Sequence, residues 1–439
     1  MRDRDLALLL DLLHQPTAPF REQRVVDFVC ALLRDHGVPY FLDPIGNVVV
    51  GCASARAYRR KLRAATSEPL RLFMAHMDHP GFHGSRWLAR DRLRVRWHGG
   101  APTRGLRGAR VWLADSNGER YDGRLVGARL RRDGRTIDTA EVRVKSPIAK
   151  PRPSATTLYG GLQFRAPVWR SGKRLYAQVA DDLVGVFAIV RTAIHTHRAR
   201  GKARASFAGL LTRAEEVGFV GAVGHFALGW LARASRPIVC VSLETSRTLA
   251  NAVIGKGPVV RLGDRRTVFD PNALNVLTHV AQRELPQRHQ RCVMDGGACE
   301  ATAATAFGLT AIGISVPLGN YHNQGFEGGP DCRGPKSLLQ KSRPGTFATR
   351  SRGACPRSLP KFQPLACLKF RRATSLWRTG FVLQQTPNAP APEFVHLDDV
   401  DGLLKLCRGL LRPRLPWHAP WETEQRRYRK LLRDYGKLI

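Results

Sequence analysis

Several apolar runs in this chain end on residues that carry chemistry, and they do so in one order. Leu70 to Ala75 runs into His76-Met77-Asp78. Leu175 to Val179, read as a return to the main sheet, leads to Asp181-Asp182, Ser206 to Leu211 to Glu215-Glu216, Ile238 to Leu243 to Glu244, and Thr310 to Val316 to Tyr321-His322-Asn323. Each cluster alone is ordinary. A His-x-Asp is more often structural, paired acids at a helix start are favoured by the helix dipole, and Asp-Asp before a helix commonly caps it. Together they place two histidines and several carboxylates at strand ends, which is where ligands gather in open α/β sheets. That is the ligand set of a two-metal hydrolase.

The periodicity between these clusters alternates strand and helix. Helices are expected over 3–14 and 21–36, the second ending at Gly37. Pro39 to Gly51 reads as a strand pair at a sheet edge, turning at Ile45-Gly46-Asn47. After Asp182 come helices over 183–197, 217–232 and 271–284, and a Gly-led turn from Asp295 into a small-residue helix ending at Ala306. The pattern predicts a mixed, mostly parallel sheet sandwiched by helices. Residues 87–174 differ. Short alternating runs (Leu93-Val95-Trp97, Val111-Leu113, Val142-Val144) are separated by Gly, Asn and Pro turns, without helical period. They predict an inserted small all-β barrel or sandwich.

The expected organisation is therefore a discontinuous catalytic domain over 1–86, 175–330 and 391–411, with the β insertion over 87–174. Residues 331–390 hold twelve Lys and Arg against one acid, with seven Pro and three Cys. They lack periodicity and read as a disordered or non-homologous insertion outside the folded core. Residues 412–439 close the chain with a basic amphipathic helix, read as a packing helix.

Composition removes other classes. The 439-residue chain has no apolar run of membrane-spanning length and no pattern of a secretory signal. No membrane partner is expected, and the expected location is cytoplasmic. The nine cysteines form no C-x-x-C pair, which argues against a thiolate zinc site or a disulfide framework. The net charge of +36 is extreme. Its arginines are spread along the chain without a nucleic-acid-binding motif, so the reading is a solvated basic surface with at most non-specific affinity for nucleic acid.

The ordered motifs resemble a known family. His76-Met77-Asp78, Asp181-Asp182-x-x-Gly185, Glu215-Glu216-Val-Gly-x-x-Gly221-Ala222, Glu244 and His322 are similar to the di-metal aminopeptidases of the glutamyl and deblocking type. These form the tetrahedral aminopeptidase group, within a wider clan of zinc exopeptidases. The resemblance covers roughly 10–330 and 391–411. It implies two divalent ions per chain, Zn²⁺ first, with Co²⁺ or Mn²⁺ as alternatives. It implies Asp181 as the bridging ligand, His76 and Glu244 completing one site, and Glu216 and His322 the other. It also implies Glu215 as the base that takes a proton from water, and Asp78 as the group that fixes the His76 ring. Glu300, in Asp295-Gly-Gly-Ala-Cys-Glu300, matches the family's Gly-rich turn ending in an acid and is implied to hold a substrate amino terminus. A peptide substrate and a homo-oligomer, a dimer or larger with the β insertion as its dimerisation domain, follow by the same resemblance. The chain departs from the family at Leu183, Glu244 and His79-Pro80. His79 and His83 read as free surface histidines near the site. Other readings are a related di-zinc amidohydrolase, deacylase or dipeptidase, and a polyanion-binding protein on an inactive hydrolase scaffold.

Overall fold

The computed structural model describes residues 1–115, 118–134, 136–145, 148, 151–199, 201–331 and 389–435. The expectation for 331–390 therefore falls almost entirely outside the described residues. Along the chain, helices α1 (Asp3–Leu13) and α2 (Gln23–Asp35) precede strands β1 (Tyr40–Leu42) and β2 (Val48–Val50). Helix α3 (Ala55–Leu62) leads to β3 (Leu70–His76), and then six strands follow: β4 (Gly81–Trp87), β5 (Arg92–His98), β6 (Arg110–Ala114), β7 (Arg120–Leu130), β8 (Ile137–Val144) and β9 (Tyr159–Leu162). Next come β10 (Val168–Ser171), β11 (Arg174–Ala177), α4 (Leu183–Ala199), α5 (Lys202–Ser206), β12 (Phe207–Thr212) and α6 (Val220–Ala227). They are followed by β13 (Ile238–Arg247), β14 (Val259–Asp264), α7 (Pro271–Glu284), β15 (Gln290–Met294), α8 (Glu300–Ala306) and β16 (Thr310–Leu318). The last elements are β17 (Glu393–His396), α9 (Leu397–Gly409) and α10 (Glu422–Tyr435).

The main sheet has the order β1-β2-β12-β3-β13-β16-β14-β15. Its centre, β12-β3-β13-β16, is parallel, and β2 and β14 join it antiparallel. The central strand β3 is buried at every position, as a strand covered on both faces must be. Helix α4 packs on β3 and β12 and against α1 and α9, while α8 packs on β13 and β16 and against α6. The first residue of α4 follows the Asp181-Asp182 pair directly, so the aspartates sit at its amino end.

The inserted strands close into a six-stranded barrel, β4-β5-β8-β7-β6-β9. Phe82, Leu93, Val95, Trp97, Leu113 and Val142 fill it, apart from the main core. The β insertion expected from the alternation is thus present, with two differences. Its strands begin at Gly81, because β4 continues from the His76 turn with only a short link. The Leu175 run does not rejoin the main sheet: β11 pairs with β10 and with β17 in a separate three-stranded antiparallel sheet. Alternating residues cannot say which sheet a short strand joins, and here the partner comes from more than 200 residues downstream.

The helix after Glu216 is shorter than expected, ending at Ala227 where Gly229 takes a positive φ. The tail helix α10 is also not the packing helix read from sequence. None of its residues is buried, and Tyr428, Leu432 and Tyr435 lie in solvent at 63%, 66% and 59% exposure. Among the described residues its entry is docked, through Trp421 Nε1 donating to Asn272 Oδ1 at 2.9 Å and Asn275 Nδ2 donating to the Pro420 carbonyl. Among the described residues no helix is long and apolar enough to cross a membrane.

Barrel closure depends on one close approach. Gly160 pairs with Phe82 on β4 and Leu113 on β6. A Cβ there would lie 2.1 Å from the Trp112 carbonyl and 2.7 Å from the Phe82 ring. Gly160→Ala is expected to lower stability by about 1–3 kcal/mol, the usual cost of overpacking. Gly127→Ala, where a Cβ meets nothing within 4 Å, is expected to stay within about 0.5 kcal/mol of the parent. Denaturant titration followed by tryptophan fluorescence distinguishes the two.

Candidate metal centre

The four parallel central strands end on one edge, and the sequence-predicted residues meet there. His76 is the last residue of β3 and stands in register with Thr212, the last of β12. Glu215 and Glu216 follow in the turn after β12, Glu244 lies near the end of β13, and His322 lies in the turn after β16. Asp181 arrives from β11 at the head of α4. The Asp181 carboxylate stands between the two imidazoles: Oδ1 is 3.6 Å from His76 Nε2 and Oδ2 is 3.6 Å from His322 Nε2. His322 Nε2 is also 3.1 Å from Glu216 Oε1.

Two triads able to hold metal result, His76–Asp181–Glu244 and Asp181–Glu216–His322, each with its ligand atoms within 4.8 Å of one another. They share Asp181. A third, His76–Glu215–Glu216, overlaps them. The donors fit divalent cations on a further ground: His322 Nε2 and Glu216 Oε1 are buried and make no hydrogen bond. Two such atoms facing each other cost free energy unless something neutralises them.

The electrostatics agree. Burial pushes Asp182, Glu215 and Glu244 up, Glu244 to about 8, and neighbouring carboxylates push them further. His322 behaves oppositely. Burial opposes its charging, yet Glu216 and Asp181 outweigh this and hold it up to about 10. His76 is likewise raised, against the burial that opposes it, by Glu215, Asp181 and Asp78. Asp181 is held low despite burial, by His322 and His76. A buried pocket with surplus carboxylate, drawing protons onto its imidazoles, is a pocket that favours cations.

Hydrogen bonds from buried groups aim these donors. His76 Nδ1 lies 3.0 Å from the Asp78 main-chain carbonyl. A carbonyl only accepts, so Nδ1 carries a proton, and Nε2 is the nitrogen turned toward Asp181. The Asp78 carboxylate is farther from that ring, at 3.6 Å. It accepts instead from the Glu215 and Glu216 amides, at 2.9 and 3.1 Å. Thr245 Oγ1 donates to Asp181 Oδ1 at 2.9 Å, and Arg261, fully enclosed, comes within 4.0 Å of Glu244.

Among the turn residues near the site with left-handed backbone are Ala214, Asn320 and His322, with φ of 53°, 56° and 55°. Each costs about 1–2 kcal/mol outside glycine. In each the amide donates to a carboxylate: Ala214 to Glu22 at 3.0 Å, Asn320 to Glu327 at 2.6 Å, and His322 to Glu393 at 2.9 Å. Glu393 also accepts from Ala180 and Asp181, at 2.7 and 3.2 Å. One buried carboxylate therefore fixes the main chain at two candidate ligands.

Glu22, Glu393, Thr245 and Arg261 were not singled out in the sequence. Glu22 resembles any acid at a helix start, and Glu393 follows the basic insertion with no motif around it. Gly100 was missed as well: a Cβ there would lie 2.2 Å from His322 Nδ1. His79 is not a surface histidine. It is 3% exposed, with Nδ1 2.9 Å from the Asp181 carbonyl and Nε2 3.3 Å from Asn323 Oδ1. Next to Pro80 the chain turns inward, which carries the ring behind Asp181. His83 is partly covered and bonds the Pro19 carbonyl at 2.8 Å. Glu300 is fully buried and pairs with Thr212 Oγ1, leaving Oε2 unpartnered. Burial raises it to about 7. Beside Glu244 a small cleft opens, lined by Ser246, Arg247, Arg261, Gly297 and Tyr321. Glu300 does not line it.

A carboxylate–imidazole cluster thus sits at the strand ends of a parallel-centred sheet, between helices and beside the inserted barrel. The model of the M42 glutamyl aminopeptidase family matches residues 159–325, a span that contains Asp181, Glu215, Glu216, Glu244 and His322. The fold is that of solved aminopeptidases. TET1 peptidase of Pyrococcus horikoshii, described as assembling into a tetrahedron or a large octahedral shell, superposes with a TM-score of 0.62 at 19% identity, over 93% of this chain and 99% of that one. The aminopeptidase APDkam598 of Desulfurococcus kamchatkensis gives 0.62 at 17%, over 94% and 96%. A TET aminopeptidase from a marine-sediment Thaumarchaeota archaeon gives 0.64 at 15%, over 94% and 98%. No curated protein sequence matches the chain. These likenesses show the fold, and the family match supports a metal-dependent aminopeptidase, in line with the resemblance read from the sequence.

Glu393→Gln replaces an acceptor of three amide bonds by a group that can no longer accept all three. It is expected to weaken Zn²⁺ affinity about 10–100-fold, as loss of a group that orients metal ligands does, with the melting transition still cooperative. Competition against a fluorescent chelator measures it.

Proposed function

We propose that this chain is a co-catalytic metallo-aminopeptidase that removes amino-terminal residues from short peptides. The observation that carries the reading is the pair of triads sharing Asp181. Two divalent ions, Zn²⁺ by the mix of imidazole and carboxylate donors, would be held there by Asp181 with His76 and Glu244 on one side and with Glu216 and His322 on the other. When bound, such ions polarise the scissile carbonyl and acidify a water.

The protein's own groups do the rest. Glu215 is not needed in either triad, and its amide is held by Asp78 at 2.9 Å, so its carboxyl is positioned beside the centre while its residue still reaches solvent. It takes the proton from the attacking water and delivers it to the leaving amine. Its raised affinity for protons, caused by burial and then by Glu216, Glu244 and Asp78 against the pull of His76, suits that traffic. The cleft beside Glu244 receives the substrate side chain. Glu300, which the resemblance assigns to the substrate amino terminus, is fully buried against Thr212 and outside the lining of the cleft, and we give it no substrate contact. A homo-oligomer is supported by the assemblies of the similar structures, and the reading places the enzyme in the cytoplasm.

Glu215→Gln is expected to keep metal binding and lower kcat about 10²–10⁴-fold, the range of a lost general base. A variant as active as the parent removes Glu215 from the reaction. Hydrolysis of aminoacyl-anilides but not of N-acyl amino acids is expected from the metal-loaded protein. The reverse preference assigns the site to a deacylase.

A further inference from the structure

The barrel carries a feature that neither the metal centre nor peptide hydrolysis uses. Arg110 on β6 is in register with Arg124 on β7, Arg124 with Arg143 on β8, and Arg143 with Arg92 on β5. Four arginines thus stand directly opposite one another across four adjacent strands. They share the outer face, because their strand neighbours Leu93, Val111, Leu125 and Val142 point into the barrel core. Strands lie about 4.8 Å apart, so the row spans about 14 Å. Like charges directly opposite destabilise a sheet.

The acids nearby do not cancel the row. Glu141 is divided between Arg92 at 3.1 Å and Arg94 at 3.4 Å. Arg143 and Arg110 reach Asp91 and Asp331 only at 3.5 Å each, and those side chains remain 53% and 27% exposed. Arg124 donates to the Gly108 carbonyl at 3.0 Å.

We propose that this row binds a linear phosphate polymer, read through its backbone charge alone. The occupant is an extended polyanion, because a linear row of guanidinium groups matches a line of phosphates. A second copy of the same face would bring arginine against arginine across a two-fold axis. A membrane surface calls for apolar side chains beside the charge, and none of the exposed large hydrophobic residues lies on β5, β6, β7 or β8. The same absence leaves no exposed ring on these strands for base stacking, since Trp112 on β6 is buried, so binding is independent of base sequence.

The test uses the full-length protein and fluorescence anisotropy with a labelled single-stranded DNA 20-mer, from low to moderate salt. Engagement of the whole row predicts a slope of log K against log salt of about −3, from about −0.7 per phosphate contacted. Arg124→Gln/Arg143→Gln should bring the slope to about −1.4 and weaken binding at least tenfold at low salt. Arg124→Lys/Arg143→Lys should keep most of it. Arg429→Gln/Arg433→Gln, an equal loss of charge on α10, should leave the slope within about 0.5 of the parent's. Because the glutamine pair relieves repulsion, its melting midpoint should equal or exceed the parent's, which separates lost binding from lost fold. Competition by long-chain inorganic polyphosphate at equal phosphate concentration assigns the site to polyphosphates generally, and failure to compete assigns it to nucleic acid. Equal loss in both glutamine pairs, or no binding by the parent at low salt, overturns the proposal.

Discussion

The Asp181 carboxylate, with one oxygen turned to His76 and the other to His322, is the contact on which the rest of the site depends. Each imidazole ends or follows a different strand of the parallel core, and each is backed by its own acid, Glu244 or Glu216. Placing so many carboxylates together below the surface is costly. The raised Asp182, Glu215 and Glu244 and the proton-hungry imidazoles express that cost in the protein alone. The arrangement makes chemical sense as a receptacle for positive charge.

The surroundings serve to hold that receptacle still. Asp78 ties the Glu215–Glu216 turn to the end of β3. Glu22 and Glu393, from opposite ends of the chain, take up the amides of left-handed residues in the turns that present Glu215 and His322. Glu393 further grips Asp181 from behind. The site is thus rigid because buried acceptors meet main-chain donors, with each strained turn paired to a carboxylate. Gly100 adds a steric condition from the barrel side, since its lack of a side chain leaves room for the His322 ring.

Much of this was legible in the chain. The clusters from His76 to His322 were readable because each ends an apolar run, and strand ends in such a sheet converge on one edge. The barrel was readable from alternation such as Leu93-Val95-Trp97. What escaped depended on partners distant in sequence. Glu393 and Glu22 act by accepting amide bonds, and any carboxylate can do that without a motif. His79 looked like a surface residue because its neighbours are polar, whereas the turn at Pro80 buries it. The assignment of β11 to a small sheet required β17, and the exposure of α10 required knowing that no other described element covers it. The arginine row is invisible in sequence because Arg92, Arg110, Arg124 and Arg143 have no regular spacing and align only through strand register.

The central claim is that Asp181 is shared between two ions. Metal content of the purified, Zn²⁺-loaded protein, measured by mass spectrometry and located by anomalous diffraction, tests this directly. Two ions per chain are predicted, one against His76 and Glu244 and one against Glu216 and His322, with both lost or severely weakened in Asp181→Ala. A parent that holds no more than one ion, or an Asp181→Ala variant that retains both with undiminished affinity, would contradict it.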